Sequence, residues 1–345
     1  MVVFAPRRYG KTSLVWRATQ ELVRQDVLVA QIDLMTTATK EQLAAKLAQA
    51  VYEQIATPLY RARDRAAQIF RGLRIVPVMT VDPIDGSLGF TFTAGRARED
   101  VDATLERLLQ LPAELSAERD RRAALVFDEF QEILDLDPRL PRLMRAVFQS
   151  QPEVAHVYLG SKRSMMEKLF NDANEPFWRS AKHLELGVIA PAAFAPFIRA
   201  RFEATGRTIG SEVVEEVLEI TRGHPYATQE LCYALWEETP EAGTARHTEL
   251  EAALVRVLQS ENAHFTLVWD QASRVQRATL QALAKEPLAP ITSDEFRRRH
   301  GLPGSSSVQR ALEALLEEEL VVKERPGAYR IAEPFLPEWI RRFAS

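Results

Sequence analysis

The chain has 345 residues, of which 46% are apolar and 27% charged, and a net charge of −4. This length suits two or three domains, and no apolar run approaches the roughly 20 residues that a membrane span needs. The small net charge excludes a general attraction to nucleic acid or to anionic membranes. Because Cys232 is the only cysteine, no internal disulfide can form, and we expect a buried structural thiol in a cytoplasmic protein.

Near the start of the chain, a loop connects a short apolar strand to a helix. Residues 2–4 predict a buried parallel strand, and apolar residues recur at helical spacing after Lys11. Gly-Lys-Thr in this context is typical of a phosphate-binding loop. Its N–H groups and the helix N-terminus would hold phosphate, an exposed Lys11 would add charge, and Thr12 would bind Mg²⁺. We predict that the nucleotide contacts the whole loop: Ala5, Pro6, Arg7, Arg8, Tyr9, Gly10, Lys11, Thr12 and Ser13.

This loop departs from the usual pattern G-x-x-x-x-G-K-[ST] at one position, because Ala5 stands at the first glycine. Alanine is small, but it does not adopt a positive φ easily. We therefore expect ordinary backbone angles where the loop begins. A chance Gly-Lys-Thr sequence in a turn is the competing interpretation.

The segments that follow alternate between strand and helix patterns. Strands are predicted at 27–33, 123–127, 154–159 and 183–186, and helices at 40–55, 56–70, 98–111 and 141–149. Residues 74–81 and 89–93 alternate in hydrophobicity around turn residues, which predicts a hairpin inserted at about 72–95. Strands that alternate with helices indicate parallel βαβ units. We therefore predict an α/β domain over residues 1–190.

Two carboxylates and a serine follow predicted strands at the sheet edge where the loop lies. Asp128 and Glu129 end one strand, and Ser161 follows the next. In phosphoryl transfer one carboxylate holds Mg²⁺ and another activates water, so we assign Asp128 to the metal and Glu129 to the water. Ser161 is placed to contact that water or the γ-phosphate. A solvated acidic pair and an ordinary loop serine are the competing interpretations.

Two arginines are candidates for a cation near the phosphates. Arg179 lies just before the last predicted strand and could stabilise the transition state as an arginine finger. Arg163 is the second candidate. Arginine is mostly a solvated surface residue, and that interpretation stays open for both.

From residue 192 the pattern is helical, which predicts a small all-helical domain over 191–265. Gly223 can end one of its helices and Pro225 can start the next; a contact between Pro225 and nucleotide is the alternative role. Residues 270–345 then follow the winged-helix order, and we expect them to be separable after residue 268. Their predicted elements are helices at 274–285, 293–300 and 306–319 and strands at 320–324 and 328–331.

The predicted winged helix could bind duplex DNA. Arg297, Arg298 and Arg299 lie on its second helix, and Gln309 and Arg310 lie near the start of its third, where they could contact phosphates. However, from residue 270 onward Lys and Arg number 12 and Asp and Glu number 11. A surface that faces a protein partner is therefore at least as well supported.

With these residues in place, the chain resembles the archaeal-type AAA+ ATPases of the STAND superclass. The likeness rests on Pro6–Leu14 as Walker A, Val126–Gln131 as Walker B, Gly223–Tyr226 as the Gly-x-Pro motif and Glu333–Arg342 as the closing segment. It implies a P-loop NTPase core with ATP and Mg²⁺, a helical lid and a winged-helix adaptor. It also implies a nucleotide-driven switch that acts on a protein or nucleic-acid partner. The sequence contains no Asn-Lys-x-Asp string of the GTPase kind, which favours ATP over GTP.

Such ATPases usually carry an acidic-arginine segment before the first strand, which helps to frame the adenine. The sequence begins at that strand, so we expect either a truncated start or an adenine pocket built from the lid alone. Two other functions stay open: a winged-helix DNA-binding regulator with an ATP-sensing core, and a scaffold that no longer hydrolyses ATP. A nucleotide-dependent oligomer is also left open.

Overall fold

The computed structural model of the protein describes residues 1–56, 78–81, 88–91 and 98–344. The chain divides into two compact units, Met1–Gly187 and Val188–Ser345. Within the described ranges, no helix is both long and apolar enough to cross a membrane.

A parallel sheet forms the centre of the first unit. The strands of this unit are β1 (Val2–Phe4), β2 (Leu28–Asp33), β3 (Val78–Val81), β4 (Leu88–Thr91), β5 (Ala123–Asp128), β6 (Val154–Gly160) and β7 (His183–Glu185). Five of them form the sheet in the order β2-β5-β6-β1-β7, while β3 and β4 pair with each other in antiparallel fashion. Every residue of β1 and β5 is buried, as expected when helices cover both faces. The predicted α/β fold is confirmed.

The helices of this unit are α1 (Lys11–Arg24), α2 (Lys40–Ala50), α3 (Arg98–Arg119), α4 (Ile133–Leu136), α5 (Leu140–Phe148) and α6 (Arg163–Asn171). The helix predicted at 40–55 changes to a π-helical turn over Val51–Ala56. The helix predicted to end at Leu111 continues through Pro112, because Leu111 and Leu115 are both buried and extend one apolar face. Most of the helix predicted at 56–70 and much of the hairpin predicted at 72–95 lie outside the described residues. The residues concerned are 57–77, 82–87 and 92–95.

The strand order brings the predicted site together. β6 lies between β5 and β1, and the three strands are parallel. Their carboxyl ends therefore meet at one edge of the sheet. The segments that leave this edge are the loop after Phe4, the pair Asp128-Glu129, and Ser161.

The second unit is mainly helical. Its helices are α7 (Pro191–Glu203), α8 (Ser211–Thr221), α9 (Pro225–Glu238), α10 (His247–Ser260), α11 (Asn262–Gln271), α12 (Arg274–Lys285), α13 (Asp294–Arg299), α14 (Ser305–Glu317) and α15 (Leu336–Phe343), and its strands are β8 (Thr208–Ile209), β9 (Thr244–Ala245), β10 (Val321–Arg325) and β11 (Ala328–Ile331). The prediction of an all-helical part was wrong in one respect, because β8 and β9 form a short parallel pair. Two residues are too few to show strand alternation in a sequence.

The elements from α12 to β11 follow the predicted winged-helix order, with β10 and β11 antiparallel. They share an apolar core with the helices before them. The ring of Trp339 lies 6.0 Å from that of Phe265 and 6.2 Å from that of Trp269, measured between centroids. The division of this unit at 191–265 and 270–345 therefore stays a proposal.

Candidate nucleotide-binding site

The predicted phosphate-binding loop runs from β1 into α1. Gly10 precedes the helix with a φ of 80°, which glycine adopts without strain. Gly10 is the N-cap residue of this helix, and among the described residues no N-cap side chain accepts a hydrogen bond from the first N–H groups of the helix. The helix N-terminus therefore presents its N–H groups and its positive dipole to an anion. Ala5 does not have a positive φ, as expected, whereas Arg8 does, at 66°.

Lys11 is buried, which corrects the expectation of an exposed side chain: only 6% of its surface is accessible. Its ammonium group donates hydrogen bonds to the carbonyl oxygens of Ala5, at 2.8 Å, and Pro6, at 3.1 Å. The cation is thus held inside the loop. A phosphate oxygen could replace either carbonyl as its acceptor.

The other loop residues differ in exposure. Tyr9 is half-buried, and the exposed ones are Pro6, Arg7, Arg8, Thr12 and Ser13. Exposure leaves these residues accessible to a ligand, and their contact with nucleotide stays a prediction.

Thr12 and Asp128 lie together, as a shared metal site requires. The Thr12 hydroxyl donates to Asp128 Oδ2 at 2.7 Å, and Asp128 Oδ1 accepts from the Glu129 N–H at 2.9 Å. Burial raises the pKa of Asp128 above its ordinary value, although the hydrogen bond from Thr12 opposes this shift. A hydroxyl and a carboxylate are the oxygen donors that Mg²⁺ prefers. The donor set therefore fits this metal.

Glu129 is held by contacts with two segments. Its Oε2 accepts hydrogen bonds from the Ser161 hydroxyl and from Gln131 Nε2, both at 2.6 Å. Burial alone would raise its pKa, but these two hydrogen bonds and the positive charge of Lys11 lower it below the ordinary value. Glu129 has a φ of 52°, a conformation that costs a non-glycine residue about 1 kcal/mol or more. An ionised carboxylate in a fixed orientation is what a water-activating residue needs.

The two candidate arginines lie in different surroundings. Arg163 is in ion pairs with Glu167 and Glu185, both at 2.8 Å. Arg179 is exposed, and its guanidinium carbon lies 5.2 Å from the centre of the Trp178 ring. Within the part of the chain that the structure describes, Arg179 has no ion pair, so it is the better candidate for a cation that a ligand could recruit.

Comparison with known proteins supports the fold. A family model described as a probable winged helix domain matches residues 263–342. A Walker-type ATPase of Pyrococcus abyssi is similar in structure, with a TM-score of 0.63 and 16% identity over 99% of this chain and 90% of that one. This chain has the fold of a Walker-type ATPase.

Two other archaeal structures are less similar. The Orc2 protein of Aeropyrum pernix in its ADP form has a TM-score of 0.49 and 14% identity, over 99% of this chain and 87% of that one. The Orc1 protein of Aeropyrum pernix in complex with DNA has a TM-score of 0.46 and 14% identity, over 99% of this chain and 86% of that one. Similarities at this level support no conclusion about this chain. No curated protein matches the chain significantly in sequence.

The arginines of the winged helix are largely engaged within it. Arg297 forms an ion pair with Asp294, and Arg299 pairs with Glu286 and Glu295, both at 2.9 Å. Arg298, the third arginine of this run, and Arg310 are exposed and form no ion pair among the described residues. The three-arginine run therefore offers less charge to DNA than its sequence indicates.

The turn between α8 and α9 has a structural explanation. Gly223 has a φ of 69°, and a Cβ at this position would lie 2.3 Å from the carbonyl oxygen of Ile189. His224 accepts the Ala227 N–H at 3.3 Å, and Pro225 begins the helix. A contact of Pro225 with nucleotide stays a prediction. Cys232, further along α9, is half-buried, and burial raises the pKa of its thiol to about 12.

Sequence reasoning missed Gln131. This residue is fully buried and donates to Glu129. Its neighbours in the sequence give no signal, because Gln131 lies in the largely polar run Asp128-Glu129-Phe130-Gln131-Glu132, where a solvated side chain is the ordinary expectation. Only its burial in the structure shows that this amide needs a partner.

Proposed function

We propose that the chain is an ATP-binding and ATP-hydrolysing molecular switch that couples its nucleotide state to a protein or nucleic-acid partner. The observation that carries this proposal is the arrangement at the edge of the sheet. There Thr12 donates a hydrogen bond to Asp128, and Ser161 donates one to Glu129. The ammonium group of Lys11 lies in the adjacent loop. The fold shared with the Walker-type ATPase of Pyrococcus abyssi supports the same proposal.

The residues divide the work between binding and chemistry. Lys11 and the N–H groups of the loop would bind the β- and γ-phosphates. Thr12 and Asp128 would hold Mg²⁺, which neutralises phosphate charge when it is bound. Glu129 would orient the attacking water and accept its proton, while Arg179 would add positive charge to the transition state. Membership of the STAND group, a cytoplasmic location and a nucleotide-dependent oligomer belong to this proposal as well.

Three variants test this division of roles. Glu129→Gln keeps the shape of the side chain but removes its charge, so Mg-ATP binding should persist while single-turnover hydrolysis falls by roughly 10²–10⁴. Asp128→Ala should weaken Mg²⁺-dependent binding itself. Arg179→Ala should bind normally and hydrolyse slowly. Equal hydrolysis rates in wild type and Glu129→Gln would contradict the proposal.

The winged helix favours a second candidate, a DNA-binding regulator with an ATP-sensing core. The observation that supports it is the match of residues 263–342 to a winged helix domain. If exposed cations such as Arg298 and Arg310 contact phosphates, the affinity for duplex DNA should fall steeply as salt rises. The variant Arg298→Ala/Arg310→Ala should reduce both the affinity and the salt dependence. No duplex binding at low salt, with or without ATP, would rule this candidate out.

A further inference from the structure

Gln131 is a buried glutamine whose environment satisfies only one end of its amide. Its Nε2 donates to Glu129 Oε2 at 2.6 Å and lies 3.2 Å from Glu132 Oε1. Its Oε1 is also buried, and among the described residues it has no hydrogen-bond partner. A buried carbonyl oxygen without a partner is unfavourable. Packing alone therefore gives no reason for an amide here, because methionine has a similar length and no polar atoms to satisfy.

Gln131 and Ser161 donate hydrogen bonds to the same oxygen, Oε2 of Glu129. One hydrogen bond comes from within the turn that follows β5, and the other comes from the end of β6. Rotation of the Glu129 carboxylate would break both hydrogen bonds. The orientation of Glu129 is therefore fixed from two sides.

A second carboxylate anchors Gln131 itself. Glu132 Oε1 lies 3.2 Å from Gln131 Nε2 and 3.2 Å from the ammonium group of Lys162. Lys162 directly follows Ser161. The turn after β5 and the segment after β6 are thus joined twice, once through Glu129 and once through Glu132. Gly160 lies against both Met166 and this network, since a Cβ there would lie 2.4 Å from Cγ and Sδ of Met166 and 2.9 Å from Gln131 Oε1.

We propose that Gln131 is a positioning residue that fixes the Glu129 carboxylate in the orientation it needs to activate water. The proposal rests on ATP hydrolysis as the function of this site. A small misplacement of a reacting group is enough to slow a reaction strongly, whereas substrate binding by other groups is unaffected. Gln131 therefore contributes to the rate of hydrolysis and not to the affinity for nucleotide.

The test compares Gln131→Met with wild type in the full chain. Methionine keeps the length of the side chain and removes the N–H donors. We expect the Kd for Mg-ATP to change less than about twofold and single-turnover hydrolysis to fall about ten- to hundredfold, the range for losing a hydrogen bond to a charged group. In a Glu129→Gln background, Gln131→Met should have no further effect, because the group that it positions is already inactive. If Gln131→Met does not fold, Gln131→Glu conserves the shape, places an oxygen against Glu129, and should lower the rate in the same way.

Gln151→Met is the matched control. Gln151 is 5% exposed and donates to the Leu109 carbonyl at 2.9 Å, outside the site. This variant should lower the melting temperature without changing the rate. The inference is overturned if Gln131→Met hydrolyses ATP at or above the wild-type rate, if its effect persists without the Glu129 carboxylate, or if Gln151→Met slows hydrolysis equally. Equal rates in wild type and Glu129→Gln would instead refute the proposed function, so the two failures can be told apart.

Discussion

Lys11 lies deeper in the protein than its place in a loop indicates, and this changes what its removal should do. Lys11→Met should lower the affinity for Mg-ATP by about ten- to hundredfold or more, because a charge-assisted contact is lost. It should also lower the melting temperature, since the Ala5 and Pro6 carbonyls lose their donor. A nucleotide titration and a thermal melt measure both effects. The control Lys285→Met removes an exposed charge from the second unit and should change neither. Wild-type affinity in Lys11→Met would mean that the loop does not bind phosphate.

His156 makes the stability of the first unit depend on pH. Its ring stacks on Phe148 with 4.1 Å between centroids, and burial lowers the pKa of His156 from 6.5 to about 4, with smaller contributions from the positive charges of the Met1 ammonium group and of Arg145. The unfolded chain therefore binds a proton between about pH 6.5 and 4 that the folded chain does not. The free energy of unfolding should fall as pH drops through this window, by up to about 3 kcal/mol. Denaturant titrations should show a smaller slope with pH in His156→Phe. The same slope in both proteins would contradict this assignment.

Residues that follow strands could be placed from the sequence, while those that depend on turn geometry could not. Asp128 and Thr12 were predicted to share a metal because each lies at a fixed point after a strand or at a helix start, and their side chains do meet. Gln131 was missed because its contact with Glu129 requires the left-handed backbone at Glu129. Nothing in residue spacing indicates such a turn.

At the scale of elements, buried strands and amphipathic helices were predicted closely. Strands β5 and β6 each extend one residue past the predicted end. Helix α6 (Arg163–Asn171) was not predicted from the sequence. Two of the other differences have physical reasons: α3 continues through Pro112 because its apolar face continues, and the two-residue strands β8 and β9 are too short to have a pattern. Sequence patterns therefore identified most of the elements, and packing set their limits.

The turn between α8 and α9 should be sensitive to a single methyl group. Gly223→Ala adds a Cβ 2.3 Å from the Ile189 carbonyl oxygen in a residue with a φ of 69°. Gly206 has a similar φ of 74°, but a Cβ there would meet nothing within 4 Å. Both alanine variants carry the strain of a positive φ, of order 1 kcal/mol, and only Gly223→Ala adds the clash. Gly223→Ala should therefore lower the melting temperature clearly more than Gly206→Ala does, and equal effects would mean that the close approach to Ile189 is unimportant.

At the scale of the whole molecule, the sequence indicated the classes of fold but not how the second half shares its core. The winged-helix order could be predicted because the apolar residues of each element recur with the spacing of a helix or of a strand. The shared core could not be predicted from the sequence. An apolar pattern around residues such as Phe265 and Trp339 predicts that they are buried, but it does not identify the residues that they pack against. Contacts over such a sequence separation depend on tertiary packing alone.

This shared core predicts where the chain can be divided. A cut after residue 187 separates the two compact units, so the piece 188–345 should melt cooperatively on its own. A cut after residue 268 removes Trp339 from the Phe265 ring and exposes apolar surface on both pieces. The 1–268 protein should therefore aggregate or lose the melting transition of the second unit, whereas 1–187 should keep the parallel sheet. Thermal melts and size-exclusion chromatography of the three pieces test this. A monomeric 1–268 protein that melts as cooperatively as the full chain would show that residues 270–345 are separable after all.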